Sequence, residues 1–262
     1  MPFQQITSAE NKTLKAIAKL KIKKYREQSR EFVVEGLVSC RMALDSGFSV
    51  SRFVMTQDFL DSGAAISDIL DHYPCILTTE KLFHPLSDTE TPQGILAVVK
   101  MPAVNIELAG TKYLCCDNVR DPGNVGTIIR TADAMGFDGV LLTEGSVDLY
   151  NPKVVRATMG SIFHIPVLEH CGDGLLQNMK SAGFRLIASA LTENSVSLYG
   201  LDCSGKLLFI VGNEANGIRP CLLDMADTTV KIPMFGKAES FNVSVAAALL
   251  MSEAVRGGRC NG

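Results

Sequence analysis

Three short stretches of this 262-residue chain hold side chains able to do chemistry on a ligand. The first runs Asn118-Val-Arg-Asp-Pro-Gly-Asn-Val-Gly-Thr-Ile-Ile-Arg130 and follows an apolar run, Tyr113 to Cys116, closed by Asp117. Pro122-Gly123 signals a turn, and Asn124 then stands where a helix N-cap belongs, so free backbone N–H groups open toward the end of a strand. Arg130 follows six residues later, less than two helical turns on. A permanently charged guanidinium is thereby held near an amide side chain and a nest of N–H donors, a combination suited to phosphate.

The second stretch is Gly212-Asn-Glu-Ala-Asn-Gly217, reached from the apolar run Leu207 to Val211. Gly212 and Gly217 let backbone approach a flat ligand closely, and Glu214 is the acid between them. Taken alone, such a loop is an ordinary tight turn. The third begins with Thr228 to Met234, a strand pattern, and continues through Ser240-Phe-Asn-Val243 into an apolar helix that reaches about Arg256. Ile232, Met234 and Phe241 offer apolar walls, while Ser240 and Asn242 carry a hydroxyl and an amide. Both are favoured N-cap types; for Ser240, capping and substrate contact are equal readings. All three stretches lie at strand ends, where open α/β sheets collect ligands.

In this order the stretches resemble the three signature motifs of the SpoU/TrmH branch of the SPOUT RNA methyltransferases. The first matches at Asn124, Gly126, Arg130, Thr131 and Ala132. The second matches at Gly212, Asn213, Glu214 and Gly217, and the third at Ile232, Pro233, Met234, Ser240, Asn242 and Val243. Phe241 stands where the pattern more often has Leu, a change of pocket shape rather than of chemistry. The resemblance implies an S-adenosylmethionine-dependent RNA ribose 2′-O-methyltransferase. Ribosomal RNA is the first expected substrate and transfer RNA the nearest alternative.

It further implies that Gly212, Ile232 and Phe241, with Gly217 and Met234, hold the cofactor, largely through backbone. Arg130, Asn124, Glu214, Ser240 and Asn242 are the implied catalytic set, and for Asn242 its motif position favours function over capping. Arg130 is expected near the ribose 2′-hydroxyl and is sometimes described in the family as a general base. A guanidinium, always charged and without an acceptor, better suits gripping a phosphate and stabilising a developing alkoxide. Asn124 would orient Arg130 or the ribose, and Glu214 would pair with Arg130 or contact a base. The resemblance also implies a homodimer whose active sites draw on both subunits, and a deep trefoil knot, a threading that native chains almost always avoid.

The elements that must position these residues fall into two halves. Residues 1–100 comprise a basic segment followed by a small α/β domain, with strands at 31–36, 51–55, 75–77 and 94–99 alternating with short helices. Phe32-Val-Val-Glu-Gly36 and Asp88-Thr-Glu-Thr-Pro-Gln-Gly94 resemble the RNA substrate-binding domain that precedes many SpoU-type catalytic domains. Residues 101–110 are the expected linker. Residues 111–262 form the catalytic half, with strands expected at 112–116, 139–143, 164–168, 184–190, 206–211 and 228–233. Its helices are expected at 124–135, 152–159, 172–182, 217–224 and 241–256, giving a mostly parallel sheet covered on both faces.

Charge is divided along the chain: residues 1–30 carry eight basic and two acidic residues, the remainder seventeen and twenty-six. A basic arm on an acidic body suits nucleic acid. A solvated amphipathic helix explains the same lysines equally well, and only the methyltransferase motifs tilt the reading to RNA. Arg156, after a cap-plus-Pro helix start, is a weaker candidate, for which an RNA phosphate contact and a surface helix face are both open. No apolar run reaches the roughly 18–20 residues of a spanning helix and no signal peptide is apparent, so a cytoplasmic protein is expected. The eight cysteines follow no metal spacing and read as reduced thiols; the four histidines form no pair at helical spacing; no metal is expected. A nicotinamide dehydrogenase would need a Gly-x-Gly-x-x-Gly turn, which Asp121 to Gly126 does not supply. A non-catalytic RNA-binding factor in ribosome assembly would not be expected to carry Asn124, Arg130, Glu214, Ser240 and Asn242 together.

Overall fold

The computed structural model describes residues 3–103 and 110–259. The core of the expected linker, 104–109, and Cys260 lie outside the described residues. Contacts divide the chain into two units, Met1–Ala103 with Tyr150–Phe163, and Val104–Leu149 with His164–Gly262.

The first unit is built from β1 (Gln4–Ile6), α1 (Lys12–Lys19), α2 (Lys23–Ser29), β2 (Glu31–Glu35), α3 (Leu37–Asp45), β3 (Val50–Thr56), α4 (Gln57–Asp61), α5 (Ser67–His72), β4 (Cys75–Thr78), α6 (Glu80–Phe83) and β5 (Ile95–Lys100). Its five strands lie in the order β1-β4-β3-β5-β2, antiparallel where β5 meets β3 and β2 and parallel elsewhere. Leu14 and Ile17 of α1 and the following Leu20 pack on Val54, Ile76, Leu96 and Val98 of the sheet. The basic segment is thus two helices, and one of its cations is not on the surface: Arg26 is 2% exposed and donates from Nη1 to the Leu20 carbonyl at 2.6 Å. The segments 32–36 and 88–94 meet at Glu35, whose carboxylate accepts from Ser87 Oγ, from Thr89 Oγ1 at 2.6 Å and from the Asp88 N–H at 3.1 Å.

The second unit begins with β6 (Lys112–Asp117), α7 (Pro122–Ala134) and β7 (Gly139–Thr143). The chain then supplies Tyr150–Phe163, containing α8 (Pro152–Ala157), to the first unit. There the Tyr150 ring lies 4.6 Å from that of Phe32, Phe163 lies edge-on to Phe48 at 5.0 Å, and Arg156 pairs with Asp88 at 2.9 Å. The second unit resumes with β8 (Val167–Cys171), α9 (Asp173–Ser181), β9 (Phe184–Ser189), β10 (Val196–Ser197), β11 (Lys206–Gly212), α10 (Pro220–Met225), β12 (Thr228–Lys231) and α11 (Val243–Arg259).

Its seven strands, in the order β10-β12-β9-β11-β6-β7-β8, are parallel at every junction. Tyr113, Cys115, Leu141, Leu208 and Ile210 pack on Leu176 and Met179 of α9 and Leu222 of α10. The alternate residues Leu114, Cys116, Leu142 and Phe209 are as deeply buried, so both faces are covered, as expected of a parallel sheet. On the chain, α7 and α11 pack against each other and against β7 and β11. Two expected elements differ. The strand expected at 164–168 begins only at Val167, after Pro166, which has no N–H to give a ladder. The helix expected from 217 starts at Pro220, because Gly217 is spent in a turn at φ 68°.

Of the described cysteines, Cys40, Cys75, Cys115, Cys116, Cys171 and Cys203 are buried and reduced, and Cys221 is exposed. Burial raises the thiols of Cys40, Cys115 and Cys116 and pushes those of Cys75 and Cys171 to about 11, so none is a nucleophile near neutral pH. A maleimide added to the native protein should therefore label Cys221 first among these seven, and the other six only on unfolding. Peptide mapping that finds Cys115 or Cys116 labelled as fast as Cys221 would contradict this packing.

Candidate active site

The site is assembled where β6 and β11, neighbours at the centre of the seven-stranded sheet, end in register at Asp117 and Gly212. Asp117 is fully buried and gathers hydrogen bonds across the strand ends. Its carboxylate receives Thr143 Oγ1 at 3.0 Å, the Arg219 N–H at 2.8 Å and Arg219 Nε at 2.7 Å, and Arg219 extends from there to Asp173 at 3.0 Å. A buried charge is tolerable only when so satisfied. Beyond Asp117, Asn118 turns into the left-handed region at φ 55°, and its carbonyl accepts from Asn213 Nδ2 at 2.9 Å. The first two loops are therefore tied together before any ligand is considered.

The helix expected to be capped by Asn124 is capped by Asp121, whose side chain accepts the Asn124 N–H at 2.7 Å, with Pro122 at the first helical position. This correction frees the Asn124 side chain. Its Nδ2 donates to Glu214 Oε1 at 2.7 Å and its Oδ1 accepts from Asn242 Nδ2 at 3.0 Å. One amide thus joins residues from all three sequence segments. Asn242 does two jobs: its Oδ1 caps α11 through the Ser244 N–H at 2.9 Å, while its amide nitrogen reaches Asn124. The competing readings of Asn242 as cap or site residue are both realised. Ser240 caps nothing and, among the described residues, makes no hydrogen bond.

Beside this constellation a cleft of about 600 Å³ is lined by Gly212, Glu214, Gly217, Ile232, Met234, Ser240, Phe241 and Asn242. A further wall, Ser189 to Thr192 after β9, gave no sequence signal, because nothing in its composition separates it from an ordinary loop. Arg130 does not line the cleft. It is exposed on α7 and makes no hydrogen bond or ion pair among the described residues. Six residues beyond Asn124 place it about 120° around the helix and about 9 Å along it. Among the described residues, no group of three or more His, Cys, Asp or Glu could hold a metal, and no helix is long and apolar enough to cross a membrane.

The second loop is shaped by contact within the protein. Asn213 and Gly217 exchange backbone hydrogen bonds at 3.0 and 2.9 Å, and Asn213 Oδ1 accepts the N–H groups of Ala215 and Asn216. A Cβ on Gly212 would lie 2.3 to 2.5 Å from backbone atoms of Gly217 and Ile218, so this position admits no side chain even before a ligand enters.

Fold and cleft define a parallel-sheet α/β protein with a ligand cleft at its strand ends and a polar constellation beside it. The model described as the SpoU rRNA Methylase family matches residues 111–252, and that described as the MRM3-like substrate binding domain matches residues 11–97. The chain belongs to the SpoU rRNA methylase family. It is 38% identical over 249 residues to the 23S rRNA (guanosine(2553)-2′-O)-methyltransferase RlmP of Bacillus subtilis, covering 95% of this chain and 98% of that protein. Among solved structures it is similar to the AdoMet-bound rRNA methyltransferase of Sinorhizobium meliloti, with a TM-score of 0.87, 31% identity, and 97% and 98% of the two chains covered. The SpoU methyltransferase AviRb of Streptomyces viridochromogenes in complex with AdoMet gives a TM-score of 0.84 at 28% identity, over 97% of this chain and all of that one.

Gly212→Ala is expected to fold with the loop displaced, at an overpacking cost of about 1–3 kcal/mol. Its Tm should fall by roughly 2–10 °C. A thermal melt superimposable on that of the parent protein would show that the Gly217–Ile218 backbone yields freely.

Proposed function

We propose that the protein is an S-adenosylmethionine-dependent methyltransferase acting on the ribose 2′-hydroxyl of ribosomal RNA. The observation that carries this reading is the Asn124 amide, which unites Glu214 and Asn242 beside a cleft lined by the very residues the family motifs imply for the cofactor. Relatives matched along nearly the whole chain are named as ribosomal RNA methyltransferases, which favours ribosomal over transfer RNA.

The cleft fits the cofactor in size and chemistry. Its volume lies in the range of small-molecule sites, with apolar walls at Ile232, Met234 and Phe241 and backbone polar groups at 212–217. When bound, the sulfonium supplies an electrophilic methyl group; the chain's own residues then have to hold the acceptor in line and help its proton leave. Glu214 and Asn242, locked by Asn124, present acceptor and donor groups of fixed orientation, and Ser240 has a hydroxyl uncommitted to the fold.

Arg130 acts electrostatically, gripping a phosphate and stabilising the developing 2′-alkoxide. Its position away from its own chain's cleft is best accommodated by a homodimer in which each Arg130 serves the partner's site. Likeness to the family supports a deep trefoil knot at the C-terminal end of the catalytic domain, and a ribosomal RNA substrate supports a cytoplasmic location.

Two measurements test this. Mapping of 2′-O-methyl groups in the RNA of cells with and without the gene should reveal one ribosomal position that depends on the protein; a dependent position in transfer RNA, or none, overturns the substrate assignment. With the purified protein, Arg130→Ala should lower turnover by at least about a hundredfold, the scale of losing one oriented donor, with cofactor affinity nearly unchanged. Arg130→Lys should fail similarly, because a point charge does not replace a planar fork. A lysine variant with most of the parent turnover would refute the geometric role.

A further inference from the structure

The first unit contains a groove of about 690 Å³ that the methyl-transfer site does not use. Its lining includes Lys12, Lys15 and Lys19 of α1, Tyr25 of α2 and Arg52 of β3. These cations share a side of the molecule for structural reasons. Leu14 and Ile17 turn the apolar stripe of α1 onto the sheet, which leaves residues 12, 15 and 19 on a common outward face. Arg52 has the strand parity of Val54, which packs under α1, and the register between β3 and β5 shifts beside it, between Val50 and Arg52. Such an irregularity re-aims a side chain. The buried Arg26, bonded to the Leu20 carbonyl, fixes the junction of α1 and α2 and so the width of the groove.

The charges in the groove are largely uncommitted. Lys12, Lys19 and Arg52 make no ion pair among the described residues; Lys15 is held by Glu10. The one acid in the lining, Glu31, is engaged by Ser51 Oγ at 2.6 Å. The Lys19 ammonium stands 5.1 Å from the centre of the half-buried Tyr25 ring. By contrast Lys23 pairs with Glu27 on the far side of α2.

We infer that this groove binds a single-stranded segment of RNA, with Lys12, Lys19 and Arg52 on successive phosphates and one base against Tyr25. A concave run of unpaired cations with an aromatic at its edge is the arrangement that tracks a phosphodiester backbone and stacks a base, and a rigid duplex would present its bases to neither. The inference rests on the reading of the protein as an RNA methyltransferase and names where, outside the catalytic cleft, the substrate is held.

The test is fluorescence anisotropy of the full-length protein with a labelled unstructured RNA of about ten nucleotides and with a duplex of equal length, across a salt series. The parent protein should prefer the single strand. Lys12→Gln with Arg52→Gln should flatten the slope of log affinity against log salt by roughly 1.4, about 0.7 for each phosphate no longer neutralised. Tyr25→Leu should weaken binding on the order of tenfold with the slope unchanged, as removal of one stacked base requires. Lys23→Gln, outside the groove, should alter neither. Far-UV circular dichroism and a melting temperature like that of the parent protein verify that every variant is folded. An unaltered slope in the double variant, or equal binding of duplex, overturns the groove while methylation by the parent protein leaves the catalytic assignment standing. A parent protein that neither binds nor methylates RNA overturns both.

Discussion

A carboxylate with no exposure to water governs the catalytic half of this protein. Asp117 closes the central strand β6 and holds the side chain of Thr143 at the end of β7 and both the backbone and guanidinium of Arg219 at the start of α10. Removing Arg219 would strand the fully buried Asp117 charge, whereas Arg219 itself is part-exposed and keeps Asp173 as a second partner. Those hydrogen bonds keep the ends of β6 and β7 level with the start of α10. The loops that leave them, at 118–121 and 213–219, then start from fixed points, and the Asn213 to Asn118 hydrogen bond joins them within two residues of those points.

Position alone does not make a site; a second interaction selects how the loops face one another. The Asn124 side chain is a donor at one end and an acceptor at the other, and it meets a carboxylate and an amide that need those two polarities. Aspartate would repel Glu214, and an apolar residue would leave both partners loose. Because Asp121 takes over the capping of α7, Asn124 is available for this role. A cap one turn earlier than expected is thus the local event that turns a helix start into part of a site.

Much of this could be read from residue order, and what could not has identifiable causes. The parallel sheet is legible because the interiors of β6, β7 and β11 are continuous apolar runs between turn signals, a pattern that sheet burial on both faces imposes. Gly212, Gly217, Ile232, Met234, Phe241, Glu214, Ser240 and Asn242 come together around one cleft because each follows a strand end. The cap of α7 was misassigned because Asp121 and Asn124 are both good caps, and only the position of Pro122 in the first turn decides between them. The burial of Arg26 has no periodic signature, because buried arginine is rare. The wall at 189–192 and the short strands β1 and β10 are defined by their neighbours rather than by their own residues.

The segment Tyr150–Phe163 has a consequence for how the protein comes into being. It is encoded after β6, α7 and β7 yet completes the first unit, where Tyr150 and Phe163 close over Phe32 and Phe48 and where the left-handed Gly160 lies against the Met42 thioether. During synthesis the packing of the amino-terminal unit is therefore completed only when residue 163 has left the ribosome, by which time part of the next sheet is already exposed. The usual order, in which an amino-terminal domain folds before its successor appears, is not open to this chain. Its two units mature in overlapping time, and a stop at residue 103 would leave the first unit without the segment Tyr150–Phe163.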